Sequence, residues 1–274
     1  PNNDKVFADK KLLDHWMPVD LYLGGVEHAT GHLLYSRMWN NYLFDKGLVP
    51  TEEPFSKLVH QGMILGSNGE KMSKSRGNVI NPDDIVKNYG ADSLRVYEMF
   101  MGPLEDSKPW SDTGIEGARK FLDRFYRLFS DISKISDTPN SNLEKEYHKT
   151  VKKVTSDYEH LAFNTAISQI MIFVNAAYKE KNIPKEYAEG IIKLFNPIAP
   201  HITEELWSMY GHTDTITYEP WPTFDEAKTI DEEIELPIQI NGKVKGTIVI
   251  SLDADEQTVK DSAHKELANL LEGK

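Results

Sequence analysis

Two adjacent glycines, set between a short apolar run and an amphipathic helix, constrain this chain more than any other feature. Val19-Asp20-Leu21-Tyr22-Leu23 favours an extended backbone and breaks at Gly24-Gly25. Leu33, Leu34, Met38, Trp39, Tyr42 and Leu43 then fall on one stripe at helical spacing, and Gly47 stands where a helix commonly ends. A second extended run follows from Leu58 to Leu65. Strand, glycine turn, helix and strand predict a βαβ unit, and hence parallel strands.

Beyond a glycine- and lysine-rich loop, Asn81-Pro82-Asp83-Asp84 reads as a helix start: Asn caps, Pro fits the first turn, and the acids favour the positive dipole end. From about Gly114 to Tyr210 the pattern becomes long and helical. Ile115, Ala118, Phe121, Leu122, Phe125 and Phe129 form one stripe; Leu161, Ile167, Ile170, Met171, Val174 and Tyr178 form a second. A third, Ile191 to Ile198, is interrupted by Pro197 and Pro200. These predict a helix bundle. Residues 223–235 hold six acids (Asp225, Glu226, Asp231, Glu232, Glu233, Glu235) against Lys228, a linker expected to repel itself and move. Ile238, Ile240, Val244, Ile248 and Ile250 alternate about an Asn241-Gly242 hairpin turn. Asp253 and Glu256 then suggest a capping box for a helix carrying Val259, Leu267, Leu270 and Leu271, giving a small ββα unit expected to be the least stable part.

The chain has 274 residues, enough for more than one core, and no run near the roughly 18–20 apolar residues of a membrane helix. Its lack of cysteine excludes disulfides and thiolate zinc sites and fits a reducing compartment. A net charge of −12 supplies none of the basic field by which many proteins attract nucleic acid. Any nucleic-acid reading must therefore come from motifs. The polar opening at Pro1, without an initiator Met, and the stop at Lys274 are expected of a piece of a longer protein.

The most specific motif is Lys71-Met72-Ser73-Lys74-Ser75, flanked by Gly66, Gly69 and Gly77. A given five-residue word arises by chance in such a length about once in 10,000 chains. Two lysines in a glycine-flanked loop suit a polyphosphate, since mobile ammonium groups can meet developing negative charge. An arbitrary lysine pair is more often a solvated basic loop; the word and its place after a βαβ unit favour chemistry.

This word resembles the second signature of class I aminoacyl-tRNA synthetases. Leu23-Gly24-Gly25-Val26-Glu27-His28-Ala29 and His32-Leu33-Leu34-Tyr35-Ser36-Arg37 are similar to the leucyl branch of subclass Ia. Gly77-Asn78-Val79-Ile80-Asn81-Pro82, Tyr89-Gly90-Ala91-Asp92-Ser93-Leu94-Arg95, Phe163-Asn164-Thr165-Ala166 and Pro197 to Trp207 resemble later parts of the same family. The resemblance implies a multidomain α/β plus all-α fold. Residues 1–110 would be the second half of a Rossmann-like catalytic domain, 111–223 a helical-bundle anticodon-binding domain, and 231–274 the start of a small α+β carboxy-terminal unit that binds tRNA.

For function, the resemblance implies part of a cytoplasmic leucine–tRNA ligase, monomeric at full length and without a membrane. Its substrates would be leucine, ATP (with Mg2+) and tRNA(Leu). Lys71 and Lys74 would be catalytic, with Lys74 the stronger candidate. Gly24, Gly25, Glu27, His28, Met63, Ile64, Ser73 and Ser75 would bind ATP or adenylate, Met63 and Ile64 through backbone groups at the adenine edge. His28 and His32 would lie near the leucine side chain, and no protein-bound metal is expected in this chain. By their own i, i+4 spacing these histidines stay open between pocket lining, core packing and metal ligation, with no third ligand evident. Glu27 alone would read as a helix-start carboxylate.

Departures from the family pattern are informative. The first class I signature, His-x-Gly-His, is absent, and Ala29-Thr30-Gly31-His32 carries alanine in the first position. The editing insertion and the upstream pocket aromatics are also missing, and the lysine loop follows Leu65 with no further insertion. The chain alone is therefore expected to be inactive. Two alternatives stay open: the matching part of an isoleucyl or valyl enzyme, and a tRNA-binding module without catalysis.

Overall fold

The computed structural model describes residues 3–230 and 233–268; Asp231, Glu232, Leu270 and Leu271 lie outside them. A short helix α1 (Lys10–Trp16) precedes strand β1 (Tyr22–Gly25), helix α2 (Leu34–Asp45) and strand β2 (Leu58–Gln61). β1 and β2 pair in parallel, Tyr22 opposite Leu58 and Gly25 opposite Gln61, so the expected βαβ unit forms. Both glycines lie inside β1, whereas the sequence reading ended the strand before them. Gly47 adopts a φ of +70° just after α2, as expected of a helix terminator.

Two details of this unit differ from expectation. The run from Leu58 to Leu65 is two strands, β2 and β3 (Ile64–Leu65), because the backbone at Gly62 lies against the 104–107 segment. A Cβ at Gly62 would come within 1.9 Å of the Asp106 carbonyl oxygen, so only glycine permits this approach. The second difference is that the α2 stripe is not core: Leu34, Met38, Trp39 and Tyr42 are each more than half exposed. Helical spacing reports a shared face, and the partner that buries it must come from elsewhere.

Helices α3 (Pro82–Tyr89) and α4 (Ala91–Phe100) follow, and the Asn81 side chain accepts from the Asp83 N–H as the cap signals predict. Strand β4 (Lys108–Pro109) pairs in parallel with β3. The bundle comprises α5 (Asp112–Ser130), α6 (Ser141–Glu159), α7 (Phe163–Ala177), α8 (Lys185–Phe195) and α9 (Pro200–Met209), with short parallel strands β5 (Ile135–Ser136) and β6 (Ile183–Pro184) between them. All six residues of the first stripe are buried, and Phe125 meets Phe129 and Phe195 at ring-centroid distances of 4.6 and 4.8 Å. Such aromatic contacts add to the area they remove from water. Ile167, Ile170 and Val174 of the second stripe are buried, Met171 and Tyr178 are half-buried, and Leu161 stands outside α7 at a φ of +58°.

α4 is tied to this bundle by polar bonds as well as by packing. Both Asp92 carboxylate oxygens take backbone N–H groups at the start of α9, from His201 at 3.3 Å and Ile202 at 2.7 Å. The Asp92 carboxylate also meets His201 Nδ1 at 2.8 Å. One turn along α4, Arg95 donates to the carbonyls of Ile198 and Pro197, both at 2.9 Å. Asp92 thus caps a helix roughly a hundred residues away, while Arg95 satisfies carbonyls left free where Pro197 and Pro200 break the chain.

Strands β7 (Glu233–Ile240) and β8 (Lys243–Ser251) form the expected antiparallel hairpin, with positive φ at Asn241 (52°) and Gly242 (75°). A register shift at Ile238/Gln239 alters the alternation, and Val244 is exposed while Ile248 and Ile250 are buried with Leu267. Helix α10 (Glu256–Glu266) is capped by Asp255, which accepts from the Thr258 N–H at 2.7 Å, and not by the Asp253–Glu256 box. The acidic stretch before the hairpin is not free either: Glu226 pairs with Lys152, Lys228 with Glu144 at 2.5 Å, and Asp225 N–H donates to His148 Nδ1 at 3.1 Å. Within the 223–235 stretch expected to repel itself and move, residues 225–228 are thus tied to α6, while Asp231 and Glu232 lie outside the described residues.

Asp92→Ala is expected to lower stability by about 1–3 kcal/mol, the range for a buried charged cap, as read by urea unfolding. Amide exchange should be faster at Ile234–Ile250 than in α6 and α7, since a hairpin under one helix buries little.

Candidate functional site

Parallel strands aim their carboxyl ends at one edge, where ligands of such sheets bind. Here that edge carries Gly24 and Gly25 of β1, Gln61 of β2, and the turn that follows. The Gly24 carbonyl lies 3.2 Å from His60 Nδ1. A Cβ on Gly25 would come 2.3 Å from Glu27 Oε2, so the missing side chain lets the Glu27 carboxylate fold back over the strand end. After β1 the chain does not enter α2 directly. It passes through one 3-10 turn (Val26–His28) and one π turn (Ala29–Leu33), wider geometry that re-aims side chains and often marks functional sites.

These turns separate the two histidines. His28 stays beside the strand end, its ring 3.8 Å from a Cβ built on Gly24. His32 turns back to Tyr22, with Nδ1 2.9 Å from the hydroxyl and the rings stacked at 5.5 Å. Among the described residues no three His, Cys, Asp or Glu side chains converge as a metal site.

Glu27, Gln61, Gly62, Met63 and Ile64 line a cavity of about 280 Å³ that Glu98, Met101 and Lys108 close from the far side. The structure thus joins Glu27 to the 63–64 segment, as the sequence reading had grouped them. It also narrows the part Met63 can play, because its N–H donates to Ser107 Oγ at 3.0 Å and its carbonyl accepts from Lys108 N at 3.0 Å. Ile64 is registered with Lys108, and a parallel ladder then directs its own N–H and C=O away from β4.

β3 leads into the lysine loop. Gly66 N–H donates to the Glu70 carbonyl at 2.8 Å, and Gly69 takes a φ of +76°, which closes a tight turn. Lys71 bridges back to Leu65, Lys74–Arg76 makes a 3-10 turn, and Gly77 ends it at a φ of +66°. Ser73 Oγ and Ser75 Oγ lie 3.2 Å apart. Arg76 is engaged with Glu70 at 2.9 Å. Lys71 and Lys74 are exposed, and among the described residues neither makes an ion pair or a hydrogen bond through its ammonium group. The loop therefore presents two unneutralised cations on a self-closed frame.

Sequence reasoning missed Asn78, whose side chain ties this frame, although an Asn beside a Gly in a Ser-rich loop is a residue type that bonds backbone. It also missed Glu98, for which no local signal exists, since only the packing of α4 over β3 brings it to the cavity. Burial raises the Glu98 carboxyl above the usual carboxylate range, and Arg95 pulls it partly back. A folded-state pKa raised above the unfolded one costs stability as pH climbs through that range. Glu98→Gln removes the cost, so its gain in thermal midpoint over the wild type should be larger at pH 7 than at pH 4.

Residues 4–108 match the family model described as tRNA synthetases class I (I, L, M and V), and residues 140–260 match that of the anticodon-binding domain of tRNA ligase. Among solved structures, the agnB2 LeuRS of Agrobacterium radiobacter K84, in a ternary complex with tRNA and LeuAMS, is 34% identical with a TM-score of 0.78 over 95% of this chain. The chain spans 37% of that LeuRS. The Mycobacterium tuberculosis methionyl-tRNA synthetase in complex with methionyl-adenylate shares the fold at 19% identity and a TM-score of 0.59, over 75% of this chain and 47% of its own. From catalytic-domain segment to helical bundle, this chain belongs to the class I tRNA synthetases of the I, L, M and V group, and its second part is their anticodon-binding domain.

Proposed function

We propose that this chain is part of a leucine–tRNA ligase, which activates leucine with ATP and transfers it to tRNA(Leu). The observation that carries the reading is the pair of exposed, unpartnered ammonium groups at Lys71 and Lys74, on a closed loop that continues β3 from a cavity lined by Glu27 and Ile64. In the activation step a leucine carboxylate oxygen attacks the α-phosphorus, a new P–O bond forms, and the bond to pyrophosphate breaks. Negative charge grows on the phosphate oxygens, and Lys74, with Lys71, would meet it. Cations that need no rearrangement at that moment lower the barrier most.

Gly24 and Gly25 let the nucleoside approach the backbone, and Glu27 suits the ribose hydroxyls as acids do in other doubly wound folds. With both backbone groups of Met63 engaged, Ile64, whose N–H is directed away from β4, is the backbone donor we assign to the adenine edge. His28, beside Gly24, is the better placed of the two histidines for a ligand; His32 is held by Tyr22 and would act through that pair. Ser73 and Ser75 shape the loop. Mg2+ would come with ATP, held on its phosphate oxygens. We assign residues 1–110 to the catalytic part, 111–223 to the bundle and 231–274 to a tRNA-binding unit, with leucine favoured over isoleucine or valine by the likeness at 34% identity. Free lysines also suit tRNA phosphates, so what favours catalysis over a tRNA-binding module is that the loop continues β3 from the cavity lined by Glu27 and Ile64.

In the full-length protein, Lys74→Ala should lower kcat for leucine-dependent ATP–pyrophosphate exchange on the order of 100–1,000-fold with little change in KM for ATP. A raised KM at unchanged kcat would mean the lysine only grips the ground state.

A further inference from the structure

The lysine loop carries two cations whose backbone positions are set by one neighbouring side chain. Asn78 Oδ1 accepts from the Ser73 N–H at 2.9 Å, and Asn78 Nδ2 donates to the Lys71 carbonyl at 3.3 Å. The same amide fills the space beside Gly66, where a Cβ would stand 2.9 Å from Nδ2. One half-buried amide therefore touches the entry of the loop, the residue of the first lysine, and the residue before the second. The serine hydroxyl pair, Ser73 Oγ and Ser75 Oγ at 3.2 Å, adds a further side-chain contact at that level.

The loop's other polar bonds lie elsewhere. Glu70 holds Arg76 and accepts from Asn68 Nδ2 at 3.2 Å, both at its outer edge. Met72 points the other way, packed against the core. The chain thus anchors the loop inward through an apolar side chain and fixes its width through an amide, leaving the ammonium groups free.

We propose that Asn78 is a positioning residue for the adenylate-forming step, holding Lys71 and Lys74 at a fixed separation without touching the substrate itself. This rests on the reading of the loop as catalytic. The physical argument is that cations stabilise a transition state in proportion to how little they must reorganise. A loop free to spread would lose that preorganisation even with both lysines present. Asn78→Ala keeps every charge of the loop and removes the two backbone bonds together with the amide's packing beside Gly66.

The test uses the full-length protein and compares Asn78→Ala, Gly66→Ala, Lys74→Ala and the double variant Asn78→Ala/Lys74→Ala by ATP–pyrophosphate exchange and thermal melting. Asn78→Ala should lower kcat by roughly 10–100-fold, the scale of a misplaced catalytic group, with KM for leucine unchanged. Gly66→Ala, which crowds the amide from the opposite side, should reproduce the loss with Asn78 still in place. The double variant should lose clearly less than the two single losses combined, because with Lys74 gone Asn78 has only Lys71 left to position. Losses that add in full, or an Asn78→Ala variant with normal kcat beside an inactive Lys74→Ala, would overturn the inference. If Asn78→Ala fails to fold, Gly66→Ala alone decides in the same way. A Lys74→Ala variant with normal kcat would instead remove the catalytic reading of the loop on which the inference stands.

Discussion

The contact on which the rest depends is the one α4 makes with the joint between α8 and α9. Asp92 caps α9 and Arg95 covers the carbonyls of Pro197 and Ile198, so side chains of α4 satisfy the free backbone groups of a segment a hundred residues away. The joint needs this help because Pro197 and Pro200 interrupt helical bonding there. The cost of leaving such groups unmet inside a protein fixes the angle of α4. Through α4 it also fixes where Glu98 and Met99 face the cavity beside β3. A polar clamp in the bundle therefore determines one wall of the candidate nucleotide site.

Charge is distributed with a similar logic. The chain is acidic overall, yet lysines on α6 and α8 are met by the acids of residues 219–226, Lys193 by Glu219 and Lys152 by Glu226. Surface pairs of this kind add little stability individually. Together they hold the 219–229 segment along the bundle where composition alone suggested a moving tether. In the lysine loop the pattern is reversed: Arg76 is held by Glu70, while Lys71 and Lys74 are left unpaired. Loop cations without carboxylate partners are available to a phosphate.

Much of this was legible residue by residue. The Asn81-Pro82 helix start, the Gly47 stop, the Asn241-Gly242 hairpin and the phenylalanine stripe of α5 are local signals, and each forms as read. Where reading failed, the deciding contact was distant. Leu58–Leu65 breaks because Asp106 lies against Gly62; the exception is local, Asp253 yielding the cap to Asp255, whose carboxylate takes the Thr258 N–H. The candidate site divides in the same way. Its lysine word and glycine pair stand out in the sequence, whereas Asn78 and Glu98 acquire meaning only from what packs against them.

The sequence by itself determined the element types, the parallel βαβ start, the helical bundle and the chemistry the lysine loop can offer. Those follow from short-range spacing, glycine and proline stereochemistry, and side-chain charge, none of which requires a partner. Tertiary structure alone decided which groups remain free to act. It engaged both backbone groups of Met63 with the 107–108 segment, turned His32 to Tyr22 and His28 to Gly24, and held Lys71 and Lys74 apart from every carboxylate among the described residues. Availability is set by hydrogen bonds and ion pairs between segments far apart in the chain, and no local pattern encodes them.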